Sequence, residues 1–137
     1  MNTIQLGASL PSATPRRIGL ALGVLAILFL LADAGSQLLA IPPILDAAVS
    51  IGWPSTPALW QGIGAALAAA TLLYAIPRTA FLGGLLITGY LGGAIAAHVR
   101  VGEDVVGPTI VAVVIAAVVW GALWLRDERF RALTRAR

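Results

Sequence analysis

The chain contains no cysteine, no lysine and a single histidine, His98. Without a thiol it forms no disulfide, holds no iron–sulfur cluster through its own sulfurs and runs no thiol redox chemistry. One histidine excludes bis-histidine haem ligation within a single chain, and a lone imidazole with a carboxylate is too few ligands to predict a metal site. Any redox role therefore falls to a bound organic cofactor or a partner subunit. Charge is equally scarce, at 11% of 137 residues, about half the share of an average soluble domain. The glycines lie inside apolar runs, so no Gly-rich strand-to-helix phosphate loop exists. Spacing places no serine beside His98 for a Ser-His-Asp triad.

What is present is apolar. Hydrophobic residues make up 59% of the sequence, and the mean hydropathy is +0.93. The pI of 10.6 raises the question of nucleic acid. The basic residues are all arginines, scattered at the ends of apolar runs. A nucleic-acid binder clusters them on one face with aromatic or polar contacts between. The charge is a membrane topology signal, and no nucleic-acid partner is expected.

The chain reads as one all-α domain, a four-helix bundle in the lipid bilayer with spans at about 17–41, 57–76, 79–98 and 108–125, since ~20 apolar residues cross the hydrocarbon core. Residues 1–16 are rich in Ser, Thr and Pro and are expected to form a disordered or surface-lying tail. The run Ile18–Leu31, followed by Ala32-Asp33-Ala34, imitates a secretory signal with its cleavage site. The apolar pattern resumes at Leu38–Ile41, however, which makes the run a first span instead. Pro42-Pro43 ends that span, and 44–53 is too short to cross. It is expected to lie at the interface between the first and second helices, with Trp53 at headgroup level. Pro77-Arg78 links the second and third spans so tightly that they must be antiparallel neighbours. Pro108 opens the fourth, with Trp120 and Trp124 near its end as an aromatic belt. Residues 126–137 form a basic tail.

Small residues pattern the third span. Gly84, Thr88, Gly92 and Ala96 form one row spaced by four, and Gly89, Gly93 and Ala97 another. Such rows let helices approach closely in lipid. They predict that Gly83–Arg100 is the central packing helix, with the second row also offering a surface for a homo-oligomer. Orientation follows from charge. Arg16, Arg17, Arg78 and the five arginines of the tail share one side, while Arg100 alone lies on the other with Asp46, Glu103 and Asp104. The positive-inside rule puts both termini in the cytoplasm, and the compartment expected is the bacterial inner membrane.

Asp33 is the one ionisable group well inside a span, and such a group is a functional candidate by default. At ~1.5 Å per residue it lies roughly 22 Å from the cytoplasmic end of its helix, in the outer part of the bilayer. Gln37, Gln61, His98 and Arg100 fall at similar depth. Tyr90, Ala94 and His98 follow one another at i, i+4 on one helix face. Together Asp33, Gln37, Gln61, Tyr90, His98 and Arg100 outline a polar pocket open to the outside. The plainer reading is that Asp33 pairs with Arg100 or His98 and pins the outer end of the bundle. Tyr90 then serves as a packing residue, and the four tryptophans anchor the interface.

The segment Leu86-Ile87-Thr88-Gly89-Tyr90-Leu91-Gly92-Gly93-Ala94-Ile95-Ala96-Ala97-His98-Val99-Arg100 resembles the signature of the DoxX-like family of small bacterial membrane proteins. Ile76-Pro77-Arg78-Thr79 and Ile51-Gly52-Trp53-Pro54 match its pattern too, so that the resemblance spans about 17–125. It implies four transmembrane helices. It also implies a link to quinones, since some relatives are subunits of a thiosulfate:quinone oxidoreductase. No shared catalytic motif comes with it, and no active-site residue is carried over.

These readings define three functional expectations. The first is an accessory, non-catalytic membrane subunit that binds a partner, a lipid or a quinone in the outer pocket. The second is a component of a quinone-linked redox complex in which Asp33, Tyr90 and His98 handle protons beside a redox partner subunit. The third is a small transporter, which four short helices would form only by oligomerising.

Overall fold

The computed structural model describes residues 13–102, 106–128 and 130–131. Those residues are helical throughout apart from the links. The elements are α1 (Ala13–Leu38), α2 (Pro42–Ser50), α3 (Pro57–Ala75), α4 (Ala80–Val101) and α5 (Val106–Arg126). Four of them, all but the nine-residue α2, are long and apolar enough to cross a membrane. Of the tail expected at residues 1–16, residues 1–12 lie outside the described part, as do the acidic residues Glu103 and Asp104 and the last six residues, whereas 13–16 are helical and begin α1.

Local chemistry explains where the helices stop. The α1 terminus closes with Ile41 N–H donating to Ser36 O and Ala40 N–H donating to Gln37 O. This is the paired-bond cap in which the residue after the helix adopts a left-handed conformation, usually as glycine. Here alanine occupies that place: Ala40 has φ 46°, and it is the only non-glycine with positive φ among the described residues. Pro42-Pro43 then starts α2, where the missing N–H groups cost nothing because a first-turn donor has no helical partner. The same cap ends α2, with Gly52 at φ 69° and Trp53 N–H bonded to Ala48 O at 2.8 Å.

The four long helices form a closed ring in which α1 packs on α3 and α5, and α4 packs on α3 and α5. Each of the four seams has at least one glycine in it. A methyl group added at Gly19 would stand 2.7 Å from Leu125 Cβ and 2.9 Å from the backbone N of Arg126, on the α1–α5 seam. At Gly64 it would meet Ala34 O at 2.8 Å and Leu38 N at 2.9 Å, on the α1–α3 seam. Gly83 lies directly against the Tyr74 backbone between α3 and α4, and Gly84 faces the Trp120 ring at 3.5 Å between α4 and α5. The sequence-based picture of α4 as a central spine is therefore corrected: α4 is one of four staves, and the more extensive seams are those of α1. Of its two small-residue rows only the first is engaged, through Gly84 and Thr88 against Trp120, because a Cβ on Gly89, Gly92 or Gly93 would find nothing within 4 Å. Small residues four apart drift round a straight helix. The row that starts at Gly84 on the α5 side leaves that seam after Thr88, before Gly92.

The core is a narrow column. Leu30, Leu67, Tyr74, Ile87, Val119 and Leu123 are at most 1% exposed. In each span only 22–28% of the residues are buried within the chain, and large side chains such as Leu25, Leu28, Phe29 and Leu72 point outwards. Such a surface is stable where lipid, not water, is the solvent. Tyr74 at 0% exposure carries a hydroxyl that apolar surroundings would penalise. It is satisfied by donating to Val119 O at 2.7 Å. Thr71 and Thr88 return their hydroxyl protons to their own helices, at Leu67 O and Gly84 O, both at 2.8 Å.

Candidate functional site

The end of the bundle away from the chain termini holds a cavity of about 410 Å³ between α1, α2, α3 and α4. Asp33 and Gln37, one helical turn apart, face it from α1, and Tyr90, Gly93, Ala94, Ala97 and His98 face it from α4. Ile44, Ala47 and Ile51 of α2 close over it, and Trp53, Trp60 and Ile63 form the remaining wall. The interfacial element between the first two spans is thus a lid on this cavity.

A chain of hydrogen bonds ties the two facing helices together. Gln37 Nε2 donates to the Tyr90 hydroxyl at 2.6 Å, and that hydroxyl donates to Asp33 Oδ2 at 2.8 Å. The direction is set by proton count. An Asp33 carboxylate accepts only, the tyrosine has one proton to give, and the amide must therefore present its NH2 side to the tyrosine oxygen. The consequence is that Gln37 Oε1 points elsewhere. It is buried and has no hydrogen-bond partner among the described residues, in a side chain that is only 2% exposed. A buried acceptor left in this state costs about 1–3 kcal/mol. The polar corner is thus coupled across the bundle and still has unused capacity.

The residues singled out from the sequence divide into two groups. Asp33, Gln37, Tyr90 and His98 line one cavity. Gln61 does not, being exposed: α3 turns Trp60, Ile63, Gly64 and Leu67 towards its neighbours, and a residue one step from Trp60 is rotated about 100° away. Arg100 is also absent from the cavity. Its Nη2 donates to Ile51 O at 2.9 Å and reaches Gly52 O at 3.5 Å. A guanidinium at those carbonyls satisfies acceptors that the helix end leaves open and complements the negative end of the α2 dipole. The expected Asp33–Arg100 pair is replaced by Asp33–Tyr90, and Arg100 holds the lid.

Trp53 and Trp60 carry more than the interface role read from their positions. Their rings lie 6.4 Å apart at 60°, and Trp60 Nε1 is fixed by Pro54 O at 2.9 Å. This presents aromatic surface to the cavity. Sequence position alone does not separate this from a headgroup anchor; the tight Pro54–Pro57 bend, which folds Trp53 back beside Trp60, was the available signal. No group of three or more metal-ligating side chains occurs among the described residues.

Four membrane-length helices, a short lid and a polar corner in an otherwise apolar cavity define a multi-pass membrane protein with an intramembrane pocket. The family model of the DoxX-like family matches residues 21–122, and the chain belongs to that family. No curated protein and no solved structure gives a significant match.

Proposed function

We propose that this protein is an accessory subunit of the bacterial inner membrane, with both termini in the cytoplasm, that holds an amphipathic ring compound of the quinone class in the outer-facing cavity. The observation that carries this reading is the Asp33–Tyr90–Gln37 hydrogen-bonded chain at the wall of an apolar, tryptophan-bearing cavity of about 410 Å³. Binding sites for small molecules are mostly apolar concavities with a few placed polar groups that fix orientation, and this cavity has that make-up. The lining suits the quinone/quinol pair: flat aromatic surface from Trp53 and Trp60, an Asp33 carboxylate that can accept from a quinol hydroxyl, and the polar groups of Tyr90 and His98 beside it. When bound, a quinone supplies two-electron, two-proton carrier chemistry. The chain's own contribution is to orient the ring, to shield it under α2 and to offer Asp33, Tyr90 and His98 as proton-exchanging groups. The electrons then come from a bound organic cofactor or a partner subunit. With eight of nine arginines on the termini side of the membrane, the positive-inside rule supports the orientation.

The test is photolabelling of the purified protein with an azido-quinone. Label on peptides containing Trp53, Trp60 or Gly93–His98, competed by unlabelled quinone, is the expected result. Label confined to the lipid-facing surfaces of α1 and α5, without competition, overturns the reading.

A further inference from the structure

A second and larger cavity, about 770 Å³, opens at the opposite end of the bundle, between the first turns of α1, the α3–α4 link and the end of α5. Arg16, Arg78 and Arg126 line it together with Asp127 and Glu128. These charges are not equivalent. Arg126 is committed, donating to Tyr74 O at 2.9 Å and lying 4.5 Å above the Tyr74 ring. Glu128 meets Arg131 at 3.4 Å, and Asp127 Oδ1 accepts the Phe130 N–H at 3.4 Å. Arg16 and Arg78 are exposed and make no side-chain hydrogen bond or ion pair among the described residues.

Apart from its charged side chains the cavity is apolar, with Leu20, Phe81 and Phe130 among its lining. Phe81 is braced by Trp120 and Phe130, at 5.7 and 5.9 Å between ring centres. The trough lies where all four membrane-length helices begin or end, the level at which lipid headgroups are expected. Unpaired cations at the rim and an apolar floor beneath match an anion that carries hydrocarbon. A free phosphate has no use for the floor, and a zwitterionic headgroup brings its own cation against two guanidinium groups. Guanidinium forks suit phosphate oxygens, and basic pockets between helices at the cytoplasmic surface suit acidic lipid headgroups.

We propose that this cavity is a binding site for an acidic phospholipid, its phosphodiester held by Arg16 and Arg78 and the upper part of an acyl chain lying against Leu20, Phe81 and Phe130. The site is independent of the quinone-class cavity at the other end.

The experiment is native mass spectrometry of the detergent-solubilised full chain titrated with phosphatidylglycerol, phosphatidylcholine or glycerol 1-phosphate. Wild type is expected to retain phosphatidylglycerol in preference to the other two. Arg16→Gln or Arg78→Gln should each weaken retention about fivefold, and the double variant about 25-fold, from the usual contribution of one basic residue at an anionic surface. Arg17→Gln, which removes a neighbouring charge outside the cavity, should leave retention unchanged, and the double Arg→Lys variant should restore most of it. Both arginines are exposed, so folding of the variants is checked by unchanged circular dichroism. Equal loss in Arg17→Gln would reduce the effect to diffuse charge. Equal retention of phosphatidylcholine, or equal binding of glycerol 1-phosphate, would also overturn the proposal.

Discussion

Replacing Tyr90 with phenylalanine removes one oxygen atom and with it both links of the chain across the bundle. The hydroxyl accepts from Gln37 Nε2 at 2.6 Å and donates to Asp33 Oδ2 at 2.8 Å. A neutral hydrogen bond contributes about 1 kcal/mol and one to a charged group about 1.5–3 kcal/mol. The Asp33 term belongs at the lower end, because that side chain is only half-buried and regains water from the cavity. The Gln37 term does not shrink in this way. Its Oε1 already lacks a partner, so the variant leaves a buried amide unsatisfied at both ends. The expected loss is about 2 kcal/mol in total. In a chain of this size that lowers the midpoint of thermal unfolding by roughly 5–10 °C. The assay is thermal unfolding in one detergent for wild type, Tyr90→Phe, Gln37→Leu and the double variant. Residues that share a network show coupling of 0.5–3 kcal/mol, so the double variant should be about as stable as Tyr90→Phe alone, since a leucine removes the stranded amide. A Tyr90→Phe protein as stable as wild type, or strictly additive losses in the cycle, would refute the reasoning.

Three further outcomes follow from the geometry. Gly83→Leu should prevent folding or destabilise by more than about 3 kcal/mol, because a side chain there meets the Tyr74 backbone, whereas Gly89→Leu should be tolerated within about 0.5 kcal/mol; detergent-resistant folded yield separates them. Ala40→Gly should stabilise by about 0.5–1 kcal/mol, since a left-handed alanine costs 1–2 kcal/mol and glycine avoids most of that, as read by thermal unfolding. Arg100→Ala should free the α2 C-terminus, giving faster hydrogen exchange at 48–53 with little change elsewhere in the bundle.

The helical architecture was legible in the sequence because lipid imposes it. Long apolar runs punctuated by proline leave few alternatives, and the observed helices begin and end within about four residues of the expected spans. The choice of packing glycines was not legible. Gly83 and Gly89 look alike in the sequence, and only the rotation of α4 within the ring puts the first on Tyr74 and the second on open surface. Of the candidate site, the depth argument gathered Asp33, Gln37, Tyr90 and His98 at one level, and the structure places them around one cavity. The same argument carried Gln61 and Arg100 along wrongly, since depth fixes position along a helix and says nothing of rotation about it. Arg100 stood beside His98 as a candidate partner of Asp33 on charge alone, whereas the α2 carbonyls that it contacts are backbone groups with no signature in the sequence. The Schellman-type cap at Ala40 was hidden for the opposite reason: its usual marker, glycine, is missing.

The central claim, that the Asp33–Tyr90–Gln37 corner anchors a quinone-class ligand, is tested most directly by quenching of tryptophan fluorescence during titration of the purified protein with a short-chain quinone. Trp53 and Trp60 line the cavity and report occupancy. The account predicts saturable quenching in wild type and about a tenfold rise in Kd for Asp33→Leu, because the Tyr90 hydroxyl loses the acceptor that orients it in the cavity wall, roughly one hydrogen bond. Unsaturable quenching, or the same Kd in Asp33→Leu as in wild type, would contradict it.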